Sequence, residues 1–180
     1  ELNGRYTHHA IYDETIKFIK DNKAEPFFLY CPWTPPHAAY QIPEDEPAWQ
    51  IYKDKPWGKD AKVAAAMDTM MDRQVGEITA LLKKLGIYEN TLMFFTSDNG
   101  ASKRFDGVHN SCGIMQGHKR SLNEGGIRVP MVVRWPGKIK PGSASDHPWY
   151  FPDVMPTLAE IAGVSKEVPK DIDGISVLPT

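Results

Sequence analysis

The sequence has little cysteine and no long apolar run, and both shortages restrict the class of protein. Two cysteines in 180 residues cannot build a disulfide framework. No stretch of about 18 apolar residues occurs, so the sequence predicts no transmembrane span. The net charge of −2 gives no reason to expect a nucleic acid or an anionic membrane as partner. With 41% hydrophobic and 24% charged residues, the chain can bury a core and is expected to form one globular domain or part of one.

The pattern of apolar residues predicts helices and strands in alternation. Helices are expected at three places: from about Thr7 to Asn22, from Asp60 to about Leu85, and from a cap at Asp153 to Gly163. Strands are expected at Phe27–Tyr30, in the apolar run that ends before Asp98, and at Val129–Trp135. Because strands separated by helices form βαβ units, the sequence predicts an α/β fold. The expected sheet is mixed but largely parallel, with helices on both faces.

The longest predicted helix has a clear buried face and a clear end. Met70 and Met71 are interpreted as core residues and not as a cofactor site, and Gly86 is placed to end the helix. The other residues expected on its buried face are Met67, Ile78, Leu82 and Leu85.

A long segment from Pro32 to about Lys59 shows no regular period. Loops of this length inside compact domains are usually functional or disordered, and the aromatic content favours a packed functional loop. Its Tyr40, Trp49 and Trp57 are candidates to stack on a sugar or aryl ring, and packing within the loop explains them equally well.

The run from Asn90 to Gly100 carries the strongest chemical signal. An uncharged, mostly apolar stretch ends in Asp98, Asn99 and Gly100. Such a run fits a buried strand that is covered on both faces, and open α/β sheets bind ligands beyond the carboxyl ends of their strands. Asp98 and Asn99 offer hard oxygen ligands, which suit Ca²⁺ or Mg²⁺ better than zinc. The alternative is that Asp-Asn-Gly only forms a turn.

Four motifs occur in order along the chain. They read PFFLY…PPH from Pro26 to His37, FTSDNG from Phe95 to Gly100, K-x4-EGGIRVP from Lys119 to Pro130, and DGISVLP from Asp173. Together they resemble the sulfatases, the arylsulfatase-like branch of the alkaline phosphatase superfamily. The resemblance implies an alkaline phosphatase-like fold and, for the parent protein, hydrolysis of sulfate monoesters.

The resemblance also shows which parts of a sulfatase the sequence does not contain. The family carries a Cys or Ser in a C/S-x-P-x-R motif, which is oxidised to the formylglycine nucleophile. Neither Cys31 nor Cys112 fits that motif, and no serine does. The first metal-binding acid pair of the family would also lie upstream. The chain is therefore expected to be a single partial catalytic domain over residues 1–180, from the middle-to-late part of a sulfatase, and to be inactive alone.

The resemblance assigns roles residue by residue. Asp98 and Asn99 would supply two ligands of a Ca²⁺ ion, with Mg²⁺ as the alternative. Lys119, five residues before the glutamate of EGG, would contact the sulfate oxygens. His37 would hydrogen-bond the sulfate or protonate the leaving oxygen, which suits a group that titrates near neutrality. The ordinary alternatives are a solvated lysine and a loop histidine.

The segment around the paired glycines is interpreted as scaffold. Gly125 and Gly126 permit a close backbone approach, and Arg128 is expected to tie loops to the sheet. His109 and His118 lie in a loop that borders the predicted site, but nothing in the sequence separates them from solvated residues.

The sequence leaves three functional alternatives. The first is a sulfatase whose substrate is a sulfated small molecule or a sulfated carbohydrate. The second is a relative that acts on phosphate esters or phosphonates, and the third is a non-catalytic ligand-binding relative. No Asn-x-Ser/Thr sequon occurs, which favours a periplasmic or extracellular bacterial protein over a lysosomal one. No signal peptide is visible, as expected for a chain that starts inside a domain.

Overall fold

The computed structural model describes residues 4–105 and 107–178. The chain divides into two compact units, Glu1–Ile139 and Lys140–Thr180. The first unit contains helices α1 (Thr7–Asn22), α2 (Pro47–Tyr52), α3 (Lys59–Lys84) and α4 (Glu124–Ile127), and strands β1 (Met93–Thr96) and β2 (Met131–Arg134). The second contains helix α5 (Val154–Ile161). None of the helices in the described ranges is long and apolar enough to cross a membrane.

Helices α1 and α3 pack together and build the main core, as the apolar periodicity predicts. Ile19 of α1 is buried against Ile78 and Leu82 of α3, and Tyr88 closes this cluster. Met70 is completely buried in a second cluster with Ala48 and Ala66. The prediction that the methionines of α3 are core residues is confirmed.

The ends of α3 follow local backbone chemistry. Gly86 has a φ of +72°, which glycine adopts without strain, and the helix stops two residues earlier. The predicted cap at Asp60 is wrong, because Gly58 is the residue before the helix and Asp60 lies in the first turn. The Asp60 carboxylate instead forms an ion pair with Arg104.

A buried carboxylate fixes the end of the long loop between α1 and α3. The Glu46 side chain caps α2 by accepting a hydrogen bond from the Ala48 amide at 3.3 Å. It also accepts one from the Arg73 guanidinium of α3 at 2.8 Å and lies 3.2 Å from the His9 ring of α1. Glu46 is only 4% exposed. Its three partners lie on three different helices, so the loop that precedes α2 is held at its carboxyl end.

The sheet differs from the one that the sequence predicts. Strands β1 and β2 pair antiparallel, with Thr96 opposite Met131, and they are the only paired strands in the described residues. The predicted strand at Phe27–Tyr30 is wrong, because in the described residues this segment pairs with no other strand. Its residues alternate as a strand would, with Phe28 and Tyr30 about 70% exposed. The largely parallel sheet remains a prediction.

Strand β1 is also less covered than the apolar run predicts. Phe95 is 41% exposed, and Val132 opposite it on β2 is 61% exposed. A strand covered on both faces would bury both side chains, so this expectation is wrong for the described residues.

The second unit is organised by Asp153, which is almost completely buried. Its carboxylate accepts hydrogen bonds from the amides of Tyr150 at 3.1 Å and Ile175 at 2.8 Å. Asp153 is the N-cap residue of α5, as the sequence predicts, but its side chain makes no capping hydrogen bond to α5. It completes a capping box with Tyr150 at the 3-10 turn before the helix. The helix ends at Ile161, and Gly163 follows with a φ of +74°. Pro179 of the closing motif lies outside the described residues.

Candidate functional site

The end of β1 presents the two predicted metal ligands beside a buried glycine. Asp98 is exposed, Asn99 is half-buried and Gly100 is buried. The Ser97 hydroxyl donates a hydrogen bond to the Asn99 carbonyl at 3.1 Å, which shapes the turn after the strand. Among the described residues, no hydrogen bond or ion pair engages the Asp98 carboxylate. Its oxygens are therefore free to bind a ligand.

Four glycines bring the chain after β1 into contact with the EGG segment. We call Gly100, Gly117, Gly125 and Gly126 the glycine junction. The Gly100 amide donates to the Gly126 carbonyl at 2.9 Å, and the Gly125 amide donates to the Gln116 carbonyl at 2.8 Å.

No side chain fits at the positions of the glycine junction. A Cβ atom would lie 2.0 Å from the Gly125 oxygen if built on Gly100, and 2.2 Å from the Gly117 oxygen if built on Gly125. A Cβ on Gly126 would lie 2.1 Å from the Ser121 oxygen. At these three positions backbone packs directly on backbone, which confirms the interpretation of Gly125 and Gly126 as close-approach residues.

The predicted sulfate-binding lysine lies in a tight turn on this junction. The Ser121 amide donates to the His118 carbonyl at 2.9 Å, which closes a four-residue turn with Lys119 and Arg120 at its centre. The Lys119 amide donates to the Ala101 carbonyl at 2.7 Å. Ala101 is two residues after Asn99, so the backbone of Lys119 is bonded to the segment that follows the Asp98–Asn99 pair.

His37 lies in the long loop and is held differently. Its side chain is exposed, and its Nδ1 atom lies 2.8 Å from the Ala38 carbonyl oxygen. A carbonyl only accepts, so Nδ1 carries the hydrogen and Nε2 is left for a ligand. Within the described ranges, His37 makes no direct contact with Asp98, Asn99 or Lys119.

Aromatic contacts join the His37 loop to the segment after β1. The Tyr40 and Phe105 rings meet edge to face with centroids 5.0 Å apart, and the Arg104 guanidinium lies 5.4 Å from the Tyr40 ring centre. His109 continues this group, 5.4 Å from Phe105 and 5.3 Å from Trp57. Tyr40 and Trp57 therefore pack against other residues of the chain.

The structure places two residues at the site that the sequence did not assign there. Cys112 is buried under the glycine junction, with its sulfur 3.7 Å from the Gly125 oxygen and 3.9 Å from the Ala101 oxygen. Arg120 has a φ of +78°, a left-handed conformation that non-glycine residues seldom adopt. Nothing in the sequence marks Cys112 as a residue of the site. Arginine is not among the residues that turns prefer, so the conformation of Arg120 is not indicated either.

The prediction that Arg128 ties loops to the sheet is wrong. Its Nε atom lies 3.3 Å from the Glu124 carboxylate, one turn earlier in the same segment, and both side chains are exposed. An exposed pair of this kind contributes little to stability. The EGGIR segment is therefore held by its glycine backbone and not by its charged side chains.

The oxygen donors fit a hard divalent cation only in part. Asp98 supplies an unpaired carboxylate and Asn99 an amide, which is the ligand chemistry of Ca²⁺ or Mg²⁺. Ca²⁺ takes about six to eight oxygens, so further ligands are needed. In the described part of the chain, no three His, Cys, Asp or Glu residues come together as a metal site.

Comparisons with known proteins agree with the four motifs. The chain is 33% identical over 174 residues to steryl-sulfatase of Mus musculus, an alignment that covers 93% of this chain and 26% of that protein. It is 31% identical over 181 residues to endo-4-O-sulfatase of Bacteroides thetaiotaomicron, covering 89% of this chain and 33% of that protein. The chain thus spans about a third or less of the length of these relatives.

A solved structure and a family model extend the match to nearly the whole chain. The structure of Ps i-CgsB in complex with k-i-k-neocarrahexaose superposes with a TM-score of 0.85 at 35% identity, over 97% of this chain and 38% of that one. The chain therefore shares the fold of that structure. The model of the family described as Sulfatase matches residues 2–164. The chain belongs to the sulfatase family.

Proposed function

We propose that this chain is part of a single sulfatase catalytic domain and that the whole protein hydrolyses sulfate monoesters. The observation that carries the proposal is the hydrogen bond from the Lys119 amide to the Ala101 carbonyl at 2.7 Å. It anchors the backbone of Lys119 to the segment that follows Asp98 and Asn99, and a sulfate ester needs both positive charge and a metal near its oxygens.

The metal in this proposal is Ca²⁺, with Mg²⁺ as the alternative. Asp98 and Asn99 would hold it through side-chain oxygens, and the remaining ligands would come from outside this chain. When bound, the metal supplies positive charge that stabilises the sulfuryl oxygens. The nucleophile is a formylglycine, also outside this chain.

Lys119 and His37 act on the substrate itself. Lys119 binds the sulfate oxygens as a compact cation, and its turn on the glycine junction keeps its backbone fixed. With hydrogens on both ring nitrogens, His37 donates a proton to the leaving oxygen, or a hydrogen bond to the sulfate, from Nε2. The contact of Nδ1 with the Ala38 carbonyl supports this role because it orients the ring.

The proposed substrate is a sulfated small molecule or a sulfated carbohydrate. The names of the relatives support this class: they are steryl-sulfatase, endo-4-O-sulfatase, and a solved structure in complex with k-i-k-neocarrahexaose. The proposal includes neither a nucleic acid nor a membrane as partner. We also propose that the whole protein is a bacterial protein of the periplasm or the extracellular space.

The test compares 4-nitrophenyl sulfate with 4-nitrophenyl phosphate as substrates of the complete protein. We expect turnover of the sulfate, with loss of activity after removal of divalent metal by a chelator. Faster turnover of the phosphate would instead identify a phosphate-ester hydrolase. Binding of sulfated ligands without any turnover would identify a non-catalytic relative.

A further inference from the structure

The turn that carries Lys119 contains a second cation in an unusual backbone conformation. The φ of Arg120 is +78°, and the hydrogen bond between Ser121 and His118 makes Arg120 the third residue of the turn. Positive φ at this position defines a type II turn, in which glycine or asparagine is the ordinary choice. An arginine there strains the backbone, and strain of this kind concentrates at functional sites.

The surroundings hold the strained turn in place. The His118 amide donates to the Ser121 hydroxyl at 3.2 Å, and the His118 ring donates to the Lys119 carbonyl at 2.9 Å. Gly126 lies so close behind the turn that a Cβ on it would meet the Ser121 and His118 carbonyl oxygens. The turn therefore cannot relax by moving towards the glycine junction.

The side chain of Arg120 forms no ion pair or ring contact within the described residues. It is exposed, and no carboxylate or ring in the described ranges engages its guanidinium. The other arginines of this region are engaged, Arg104 with Asp60 and Arg128 with Glu124. A planar guanidinium binds sulfate and carboxylate groups through paired hydrogen bonds.

We propose that Arg120 is a specificity-determining residue that binds a second anionic group on a polyanionic saccharide, beside the sulfate that Lys119 contacts. The proposal rests on the proposed sulfatase function, which supplies the sulfate at Lys119. One turn then presents two cations at adjacent positions. A substrate with one anionic group uses Lys119, and a substrate with two uses both residues.

The experiment measures the binding of three probes to the complete protein by calorimetry. Sucrose octasulfate carries several sulfates, trigalacturonic acid carries several carboxylates, and inorganic sulfate is the single-anion reference. The variants are Arg120→Asn, which suits the positive φ but removes the charge, and Arg120→Lys, which keeps the charge. Lys138→Asn is the matched control, because Lys138 is also an exposed cation beside a turn.

We expect Arg120→Asn to weaken binding of at least one multivalent probe about tenfold, while its Tm stays equal or rises. Inorganic sulfate should bind with a Kd within about twofold of the original value. Arg120→Lys should retain more of the multivalent affinity than Arg120→Asn, and Lys138→Asn should retain all of it. The probe that loses affinity identifies the second group as a sulfate or a carboxylate.

Equal affinity of Arg120→Asn and the unchanged protein for both multivalent probes would overturn the proposal. Equal losses in Arg120→Asn and Lys138→Asn would also overturn it, because they would show only a general effect of charge. These binding measurements do not require turnover. Failure of the protein to hydrolyse 4-nitrophenyl sulfate would therefore count against the proposed function and leave the Arg120 result to be judged on affinity.

Discussion

The Lys119 amide donates a hydrogen bond of 2.7 Å to the carbonyl oxygen of Ala101. This contact links a turn in the EGG segment to the chain that leaves β1, two residues after Asn99. Ala101 and Lys119, which are 18 positions apart in the sequence, therefore meet through backbone atoms alone. Within the described residues, the side chains of Asp98, Asn99 and Lys119 form no hydrogen bond or ion pair with one another. Each is therefore available to a ligand and, in the proposed function, to the sulfate ester and its metal.

In the complete protein, Lys119→Ala should lower kcat/KM for 4-nitrophenyl sulfate far more than Arg120→Ala. A direct contact to developing charge in an active site is worth roughly 2.7–4 kcal/mol by analogy with oxyanion donors, or about two to three decades in rate. Arg120 has no assigned contact with the single sulfate of this substrate. Its loss should be small and should weaken with added salt.

The measurement is kcat/KM for both variants at low and high ionic strength, on protein whose folding has been checked. Equal losses that fade together with salt would mean that Lys119 contributes only to the general positive field. Its catalytic role would then have to be withdrawn.

This chain alone should bind Ca²⁺ weakly or not at all, whereas the complete protein should bind it tightly. Asp98 and Asn99 provide two oxygens where Ca²⁺ takes about six to eight. Calorimetry on the chain and on its Asp98→Ala variant checks this expectation. Micromolar binding by the chain that persists in Asp98→Ala would contradict the assignment of these two ligands.

The first unit should become less stable as the pH is lowered, because of His8. The ring is 3% exposed and its Nε2 atom lies 2.6 Å from the Gln74 side-chain oxygen. Burial lowers the pKa of His8 below its ordinary value. Between that lowered pKa and the unfolded value of about 6.5, the unfolded chain binds more protons than the folded one. The contribution of His8 is therefore complete above about pH 6.5 and is lost as the pH falls below it.

Urea unfolding at pH 7.5 and pH 5.5 tests this expectation in the original protein and in His8→Gln. The variant should be less stable at pH 7.5 but should lose less stability between the two pH values. An identical loss in both proteins would show that other groups set the pH dependence in this range.

The sequence predicts α1 and α3 well because their signals are local. It misses α2, which lies inside the segment from Pro32 to about Lys59 that is predicted to be a loop. The apolar face of α1 and the glycine after α3 specify both elements without reference to the rest of the chain. The strand at Phe27–Tyr30 has the same quality of local signal, yet a strand exists only when another strand pairs with it. Its side chains alternate in exposure, but no strand pairs with it in the described residues, so the predicted strand is not formed.

The candidate site likewise has features that the sequence predicts and features that depend on packing. Asp98, Asn99 and Lys119 were assigned from motifs, and the structure brings their segments together. The positive φ of Arg120 and the burial of Cys112 could not be predicted, because both result from how the turn packs on the glycine junction. Side-chain chemistry is visible in a sequence, whereas backbone strain that packing imposes is not.

Gly126→Ala should destabilise the protein and reduce its affinity for sulfate, while Gly76→Ala should do neither. A Cβ at position 126 would lie 2.1 Å from the Ser121 oxygen and 2.7 Å from the His118 oxygen, both of them backbone atoms. The turn that carries Lys119 would have to move, at a cost of about 1–3 kcal/mol. Gly76 lies inside α3 with nothing within 4 Å of an added Cβ, so alanine there should stabilise the helix by roughly 0.5–1 kcal/mol.

Urea unfolding of both variants gives the change in stability, and calorimetry with inorganic sulfate gives the change in affinity. The comparison separates the two effects because the same methyl group is added at each site. If Gly126→Ala lost stability but bound sulfate with unchanged affinity, the position of Lys119 would not depend on the glycine junction. The role given to the contact between Lys119 and Ala101 would then fail, because a displaced turn would still present its lysine to the anion.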